Sequence, residues 1–508
     1  MGMGKKKRKK SLNKLQPQTE STFLKIKYVD VLIISLIILY SFVIWWTTKN
    51  LPYHWDSAGF IINTTRNLVD SNFSPLIPTG SDFAHPPLFM ILLGFTWKIL
   101  GNTILNSHLL MFPFLPLLMI STYFIGKKIL NLTIGAVSAF LVGLAPIVVA
   151  EYGVVYIDLP MAALTTASIA LLFSENILVA SLMLSLAVLV KLPAITLLLA
   201  FTVYLFKRKN IQRSSFLPLL LPLITLLSWL FYHYQQTGWY LSRPGRLNYM
   251  PHTFSQVTQS FAFVVKTLLW DQGRWSLTVI AALSLAILLS RKMLKETITP
   301  KVTALLVSLL AGISFYALMG EFGLRYGIFL LPPIAITTVY LVYKIVSQKV
   351  FWVIIIIPCI IFLSLWHPKV EPTAIYDFRP PENLAYQDII TIGLQAAHYL
   401  QVNFENAEVY GDFPEVYQLT QPYQGYTQKV FNFDYCRNFE YHPSQTQILY
   451  LHPYSPGQRY CRQLLDYFQV QPLNRFESNG KWLELYKVET TASANVNPQN
   501  SDPYGKKN

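Results

Sequence analysis

The chain is first of all constrained by a succession of apolar runs, about eleven of them between residues 28 and 366, each close to the length a helix needs to cross hydrocarbon. They fall at 28–46, 107–126, 132–150, 159–173, 177–190, 192–206, 215–233, 275–290, 302–319, 327–343 and 350–366, and almost no charge lies inside them. Only 13% of the 508 residues are charged and 53% are hydrophobic, where a soluble protein would carry about 25% charged residues. The expected fold is a polytopic α-helical membrane protein.

The formal charge of +15 does not point to nucleic acid once it is located. Lys5, Lys6, Lys7, Arg8, Lys9 and Lys10 form one run ahead of the first apolar stretch, where they would hold the N-terminus in the cytoplasm against anionic lipid. No small-residue cleavage site follows that stretch, so it is expected to stay as an anchor. Residues 1–27 read as a disordered basic cytoplasmic arm, and residues 28–366 as the transmembrane domain. Lys127-Lys128, Lys207-Arg208-Lys209 and Arg291-Lys292 end inward-going runs, as the positive-inside rule requires.

Beyond residue 366 the composition becomes that of a soluble domain. Runs near 383–400 and 457–468 have helical periodicity, and 407–410, 447–451 and 482–488 have strand character. The expectation is a small extracytoplasmic α/β domain over 367–488, then a disordered tail over 489–508. Cys359 sits in an apolar run, which leaves Cys436 and Cys461 as the pair that an oxidising compartment would join. The sequence carries no Walker, Rossmann, CxxC or HExxH pattern.

Chemistry-bearing residues gather in the loops assigned to the outer side. The loop 47–106 holds Asp56, within Tyr53-His54-Trp55-Asp56-Ser57-Ala58-Gly59-Phe60, and His85 before Pro86-Pro87. Other outer segments supply Glu151, Asp158, Lys191, Arg243, Arg246, Glu321, Arg325 and Tyr326. Arg243, Arg246, Arg274, Arg325 and Lys191 stand where the positive-inside rule wants no cation, and such cations need an anionic partner. An acid among cations at one membrane face suits transfer of a group from a lipid phosphate to an acceptor hydroxyl. The carboxylate takes the acceptor proton while Lys and Arg neutralise the departing phosphate. A single carboxylate with attack from the opposite face implies inversion at the sugar carbon.

Each residue also has a plainer reading. Asp56 and Asp158 stand where helix N-caps stand, Lys191 would anchor a hairpin at the headgroups, His85 would be a turn residue, and Arg325-Tyr326 would be an interfacial anchor pair. Taken singly these readings are the stronger; one-sided clustering favours the functional one. A flippase or transporter for a lipid-linked sugar is the alternative, but transporters keep ionisable groups at mid-bilayer rather than at one edge. A non-catalytic subunit of a cell-envelope glycan assembly is a third reading.

Four short motifs, in order over about residues 30–345, resemble the GT-C membrane glycosyltransferases, in the branch of the protein O-mannosyltransferases and lipid A aminoarabinose transferases. They are the Asp56 octapeptide; His85-Pro86-Pro87-Leu88; Tyr156-Ile157-Asp158-Leu159-Pro160-Met161 with Val190-Lys191-Leu192-Pro193; and Leu324-Arg325-Tyr326 with Leu331-Pro332-Pro333. The resemblance implies a polyprenyl-phosphate-linked sugar donor, an external active site, an inverting mechanism and Asp56 as the catalytic residue. It also implies a donor phosphate near Lys191 and Arg325, to which Tyr326, Arg243 and Arg246 are added as phosphate ligands, with His85, Asp158 and Glu151 in support. The expected partners are that donor, membrane lipids and an external glycan, lipid or protein acceptor; the expected location is the cell membrane. Two positions depart from the family pattern. Ser57 stands where many relatives have Glu, which weakens a metal-chelating loop, and Val190 replaces the threonine before the lysine. No cofactor is assigned; Asp158, Glu151 and His85 leave a divalent metal open without a strong ligand set.

Overall fold

The computed structural model describes residues 27–77, 85–208, 212–241, 250–320, 322–368, 382–454 and 458–491. The expectations for the N-terminal arm, Arg243, Arg246, Glu321 and the tail from residue 492 lie outside them. The protein is mostly helical, with many apolar helices and one small C-terminal sheet.

Among the described residues five helices are long and apolar enough to cross a membrane: Tyr28–Thr48, Ile104–Ile129, Arg213–Thr237, Pro300–Met319 and Leu324–Ile345. A sixth crossing forms if Leu132–Leu144 and Pro146–Tyr152, bent by 65°, count as one. The sequence places a continuous run over 132–150. Pro146 cannot donate a backbone hydrogen bond, so the helix stops at Leu144 and restarts on a new axis with proline in its first turn. Other apolar helices, such as Asp158–Phe173, Ile177–Val190 and Trp275–Ser290, are 10–17 residues long.

The helix Tyr28–Thr48 shows why the bundle suits lipid. Ile33, Ile37, Ile44 and Trp45 are buried, while Leu32, Leu36, Leu39 and Val43 are exposed on the opposite side. A helix that is apolar all round needs hydrocarbon on the side that other helices do not cover. Elsewhere helices meet with nothing between them. A Cβ at Gly126 would stand 2.7 Å from Gly135 Cα, and one at Gly135 would stand 2.3 Å from the Tyr123 carbonyl oxygen.

The C-terminal sheet has the order β2-β1-β3-β5-β4, built from β1 (Glu408–Gly411), β2 (Asn432–Tyr435), β3 (Gln447–Leu451), β4 (Phe468–Ser478) and β5 (Lys481–Thr491). β1 pairs in parallel with β2 and β3, while β5 runs antiparallel to β3 and β4. The central strand β3 is buried at every position, because both faces are covered. Ile448 and Tyr450 join the core shared with the membrane helices, whereas Leu449 and Leu451 join a second core around Cys436 and Cys461. Those two cysteines are bonded, with Cα atoms 5.1 Å apart. The shared core also takes in Tyr53, Ala58, Ile61 and Tyr386, so the sheet domain packs directly onto the Asp56 loop.

Gly135 and Gly143, both in the helix Leu132–Leu144, differ in what a side chain would meet, and so predict different tolerances. Gly135→Val drives a side chain into fixed backbone and should destabilise the protein by about 1–3 kcal/mol, the usual cost of overpacking. Gly143→Ala meets the end of the flexible Met119 side chain, at 2.6 Å, and the Tyr40 ring only at 3.4 Å, and should be tolerated. Thermal melts of both variants in detergent check the pair.

Candidate active site

Four separate segments deliver charged side chains to one place. Asp56 follows the first long helix and precedes a π-helical turn, Ser57–Ile61, a geometry that recurs at functional sites. Asp158 is the first residue of the helix Asp158–Phe173. Lys191 ends the helix Ile177–Val190 in extended backbone, and Arg325 lies in the 3-10 turn Leu324–Leu330.

There Lys191 Nζ donates to Asp158 Oδ1 at 2.6 Å, and Arg325 Nη2 donates to Asp56 Oδ2. Arg325 Nε stands 3.7 Å from Asp158 Oδ2, which joins the two pairs. The aromatic faces complete the cluster: Lys191 Nζ lies 3.9 Å from the Tyr326 ring centre, and Arg325 Cζ lies 4.5 Å from that of Tyr156. Asp158, Lys191 and Arg325 are buried; the Asp56 side chain, 15% exposed, is the member open to solvent. Glu151 is fully buried within electrostatic reach of all four, and neither of its carboxylate oxygens has a hydrogen-bond partner among the described residues.

The plainer readings of three residues do not hold. Asp158 is inside its helix rather than capping it, and the Asp56 carboxylate caps no backbone N–H although it holds the N-cap position. Lys191 is 3% exposed, not splayed to the headgroups. Removing a charge from water costs several kcal/mol unless a partner compensates. The out-of-place cations Lys191 and Arg325 find that partner in the protein's own Asp158 and Asp56. Arg274 instead donates to the Thr267 carbonyl at 2.5 Å and shapes a turn. His85 is half-buried in the turn before the helix Leu88–Leu100. Among the described residues no group of three His, Cys, Asp or Glu side chains is placed to hold a metal ion. Ser57 donates to the Val155 carbonyl at 3.1 Å, tying the Asp56 loop to the segment that leads into Asp158.

Sequence reasoning missed two groups. Tyr156 lies within the Asp158 motif but was given no role, although it stands two residues before Asp158. The second group comes from the sheet domain and carried no local signal. His54 stacks on Tyr386 with ring centres 5.9 Å apart, and lines a buried polar space with Glu415, His452, Tyr426 and Tyr450. Glu415 Oε2 lies 3.0 Å from His452 Nε2 there. Burial, with His452 close by, pulls the His54 imidazole from 6.5 down to about 3.

No protein-family model and no curated protein matches the sequence. Its fold is similar to that of solved GT-C glycosyltransferases. One of them, ArnT from Cupriavidus metallidurans bound to undecaprenyl phosphate, aligns with a TM-score of 0.54 over 90% of this chain and 97% of that one. At 12% identity the likeness is one of fold. The apo oligosaccharyltransferase of Archaeoglobus fulgidus also aligns with 90% of this chain and 74% of its own, at a TM-score of 0.49 and 8% identity.

Two outcomes follow for the buried groups. Asp158→Asn or Lys191→Met alone leaves an uncompensated buried charge and should cost about 3–5 kcal/mol, while the double variant should recover much of that loss; thermal unfolding in detergent reads the difference. His54 stays neutral in the folded protein but is protonated below pH 6.5 when unfolded, so the unfolded chain binds more protons. Its contribution is complete above pH 6.5 and is lost as the pH falls toward 3. Melting curves from pH 7 to 5 should show a smaller drop for His54→Asn than for the wild type.

Proposed function

We propose that this protein is an inverting glycosyltransferase that moves a sugar from a polyprenyl-phosphate-linked donor to an external glycan, lipid or protein acceptor. The observation that carries the reading is the position of Asp56, the solvent-open end of a buried cluster in which Arg325 and Lys191 are the cations. The ArnT fold and the bound undecaprenyl phosphate of that structure support the donor class.

Donor phosphate oxygens compete with Asp56 for Arg325 and with Asp158 for Lys191. Arg325 is suited to this by its forked donors, and the Tyr326 and Tyr156 faces hold the two cations in place. Asp56, released, takes the proton of the acceptor hydroxyl. The acceptor oxygen then attacks the anomeric carbon from the face opposite the phosphate, the sugar–phosphate bond breaks, and polyprenyl phosphate leaves as an anion that the two cations neutralise. No acid is needed for that leaving group. Arg243 and Arg246 are additional phosphate ligands in this reading, and His85 and Glu151 support the site.

The same reading sets residues 28–366 in the cell membrane, with the short apolar helices crossing beside the long ones and the N-terminus in the cytoplasm. Asp56 and the domain 367–488 then face outward, and the Cys436–Cys461 bond supports an oxidising side for that domain.

Asp56→Asn removes the base and keeps the shape. It should lower transfer at least ~100-fold while undecaprenyl phosphate still binds, since a positioned base contributes about 10²–10⁴-fold. Mass spectrometry of surface glycans from cells expressing either form checks it: the variant should match cells lacking the protein. Wild-type glycans from the variant would remove Asp56 from the chemistry.

A further inference from the structure

The loop that carries Asp56 is fastened from the far end of the sequence. Gln424, fully buried, holds it on both sides of the carboxylate: its carbonyl accepts from the Tyr53 N–H at 3.1 Å, and its Nε2 donates to the Ala58 carbonyl at 3.0 Å. Phe413 closes the other side. Its ring stands edge-on to Trp55, with centres 5.2 Å apart, and a Cβ at Gly59 would lie 2.4 Å from it. Trp55, next to Asp56, has a φ of 56°, a left-handed conformation that a tryptophan holds only when its surroundings enforce it.

We infer that the sheet domain is a working part of the site, with Gln424 and Phe413 as positioning residues that fix the Asp56 loop in its reactive geometry. This rests on the glycosyltransferase reading for its catalytic meaning, but the latch itself is a property of the loop. Asp56 hangs on a segment whose π-helical turn presents the Ala58 carbonyl to side-chain donors. Asn63 Nδ2 also reaches the Ala58 carbonyl, at 3.1 Å, and is itself held by the Tyr423 hydroxyl at 2.8 Å. Two residues of the segment 413–424 therefore bond the loop and its following helix, and a third packs against it. Misplacing a base by a fraction of its hydrogen-bond length forfeits rate while Lys191 and Arg325 remain in place to bind phosphate.

The test uses the full-length chain in lipid nanodiscs, with three readouts: hydrogen exchange of the peptide 53–61, binding of undecaprenyl phosphate by native mass spectrometry, and restoration of surface glycans in cells lacking the protein. Gln424→Met keeps the volume and removes the donor. It should speed exchange about 5- to 10-fold, the equivalent of one lost hydrogen bond, leave undecaprenyl phosphate binding unchanged and lower glycan yield. Gly59→Ala, which strikes Phe413 from the loop side, should do the same, and so should Phe413→Ala, which takes the ring away from Trp55. Wild-type exchange in Gln424→Met or in Phe413→Ala, or full glycan yield despite a loosened loop, would each overturn the latch. Failure of the wild type to bind undecaprenyl phosphate would instead sink the donor assignment and leave the exchange result to stand by itself.

Discussion

Two ion pairs, Asp158 with Lys191 out of water and Asp56 with Arg325 at its edge, organise the rest of this molecule. A lone lysine at the end of an apolar helix would be intolerable in a low-dielectric interior, so the helix that ends at Lys191 and the helix that begins at Asp158 must finish at one level and face each other. Arg325 bridges to both acids, which brings a third segment to the same point. The requirement that charges be compensated thus fixes which helix ends converge, a selection that apolar packing cannot make because it has no direction.

The cluster is graded from inside to outside. Glu151 is fully buried with its oxygens unpaired among the described residues, Asp158 and Lys191 are sealed, and Asp56 reaches solvent. The sheet domain completes that gradient. Tyr386 stacks on His54, Phe413 stands edge-on to Trp55, and Gln424 spans the loop, so the rim of the site is built from residues more than 300 positions away in sequence. Ser57 adds to this. Where a glutamate would put a second carboxylate into the loop, the short hydroxyl bonds the Val155 carbonyl and couples the loop to Asp158.

Much of this was readable from residue order. The apolar runs fall on apolar helices, of which five, or six with the bent pair, are long enough among the described residues to cross a membrane against the eleven crossings expected, and period-two and helical patterns gave β1, β3, β5 and the helices Tyr386–Asn403 and Gln458–Tyr467. The exposed edge strands β2 and β4 escaped, because Asn432-Phe433-Asp434-Tyr435 and a strand interrupted by Pro472 bury too little to show a strong pattern. The break at Ala145-Pro146 was hidden by unbroken hydrophobicity on both sides. That Lys191 and Arg325 would be answered by Asp158 and Asp56 was not legible either, since charge bias reports which side a residue is on and not what it touches. Gln424 had no signal at all: a glutamine in a Pro-Tyr-Gln-Gly turn looks like any surface turn until the loop it holds is seen.

The bare contact of Gly126 with Gly135 carries a mechanical consequence. Side chains let neighbouring helices slide by changing rotamers, whereas two backbones in contact have nothing to rearrange. The helices Phe114–Ile129 and Leu132–Leu144 are therefore locked at one spacing, and a change of that spacing would have to move both as a unit.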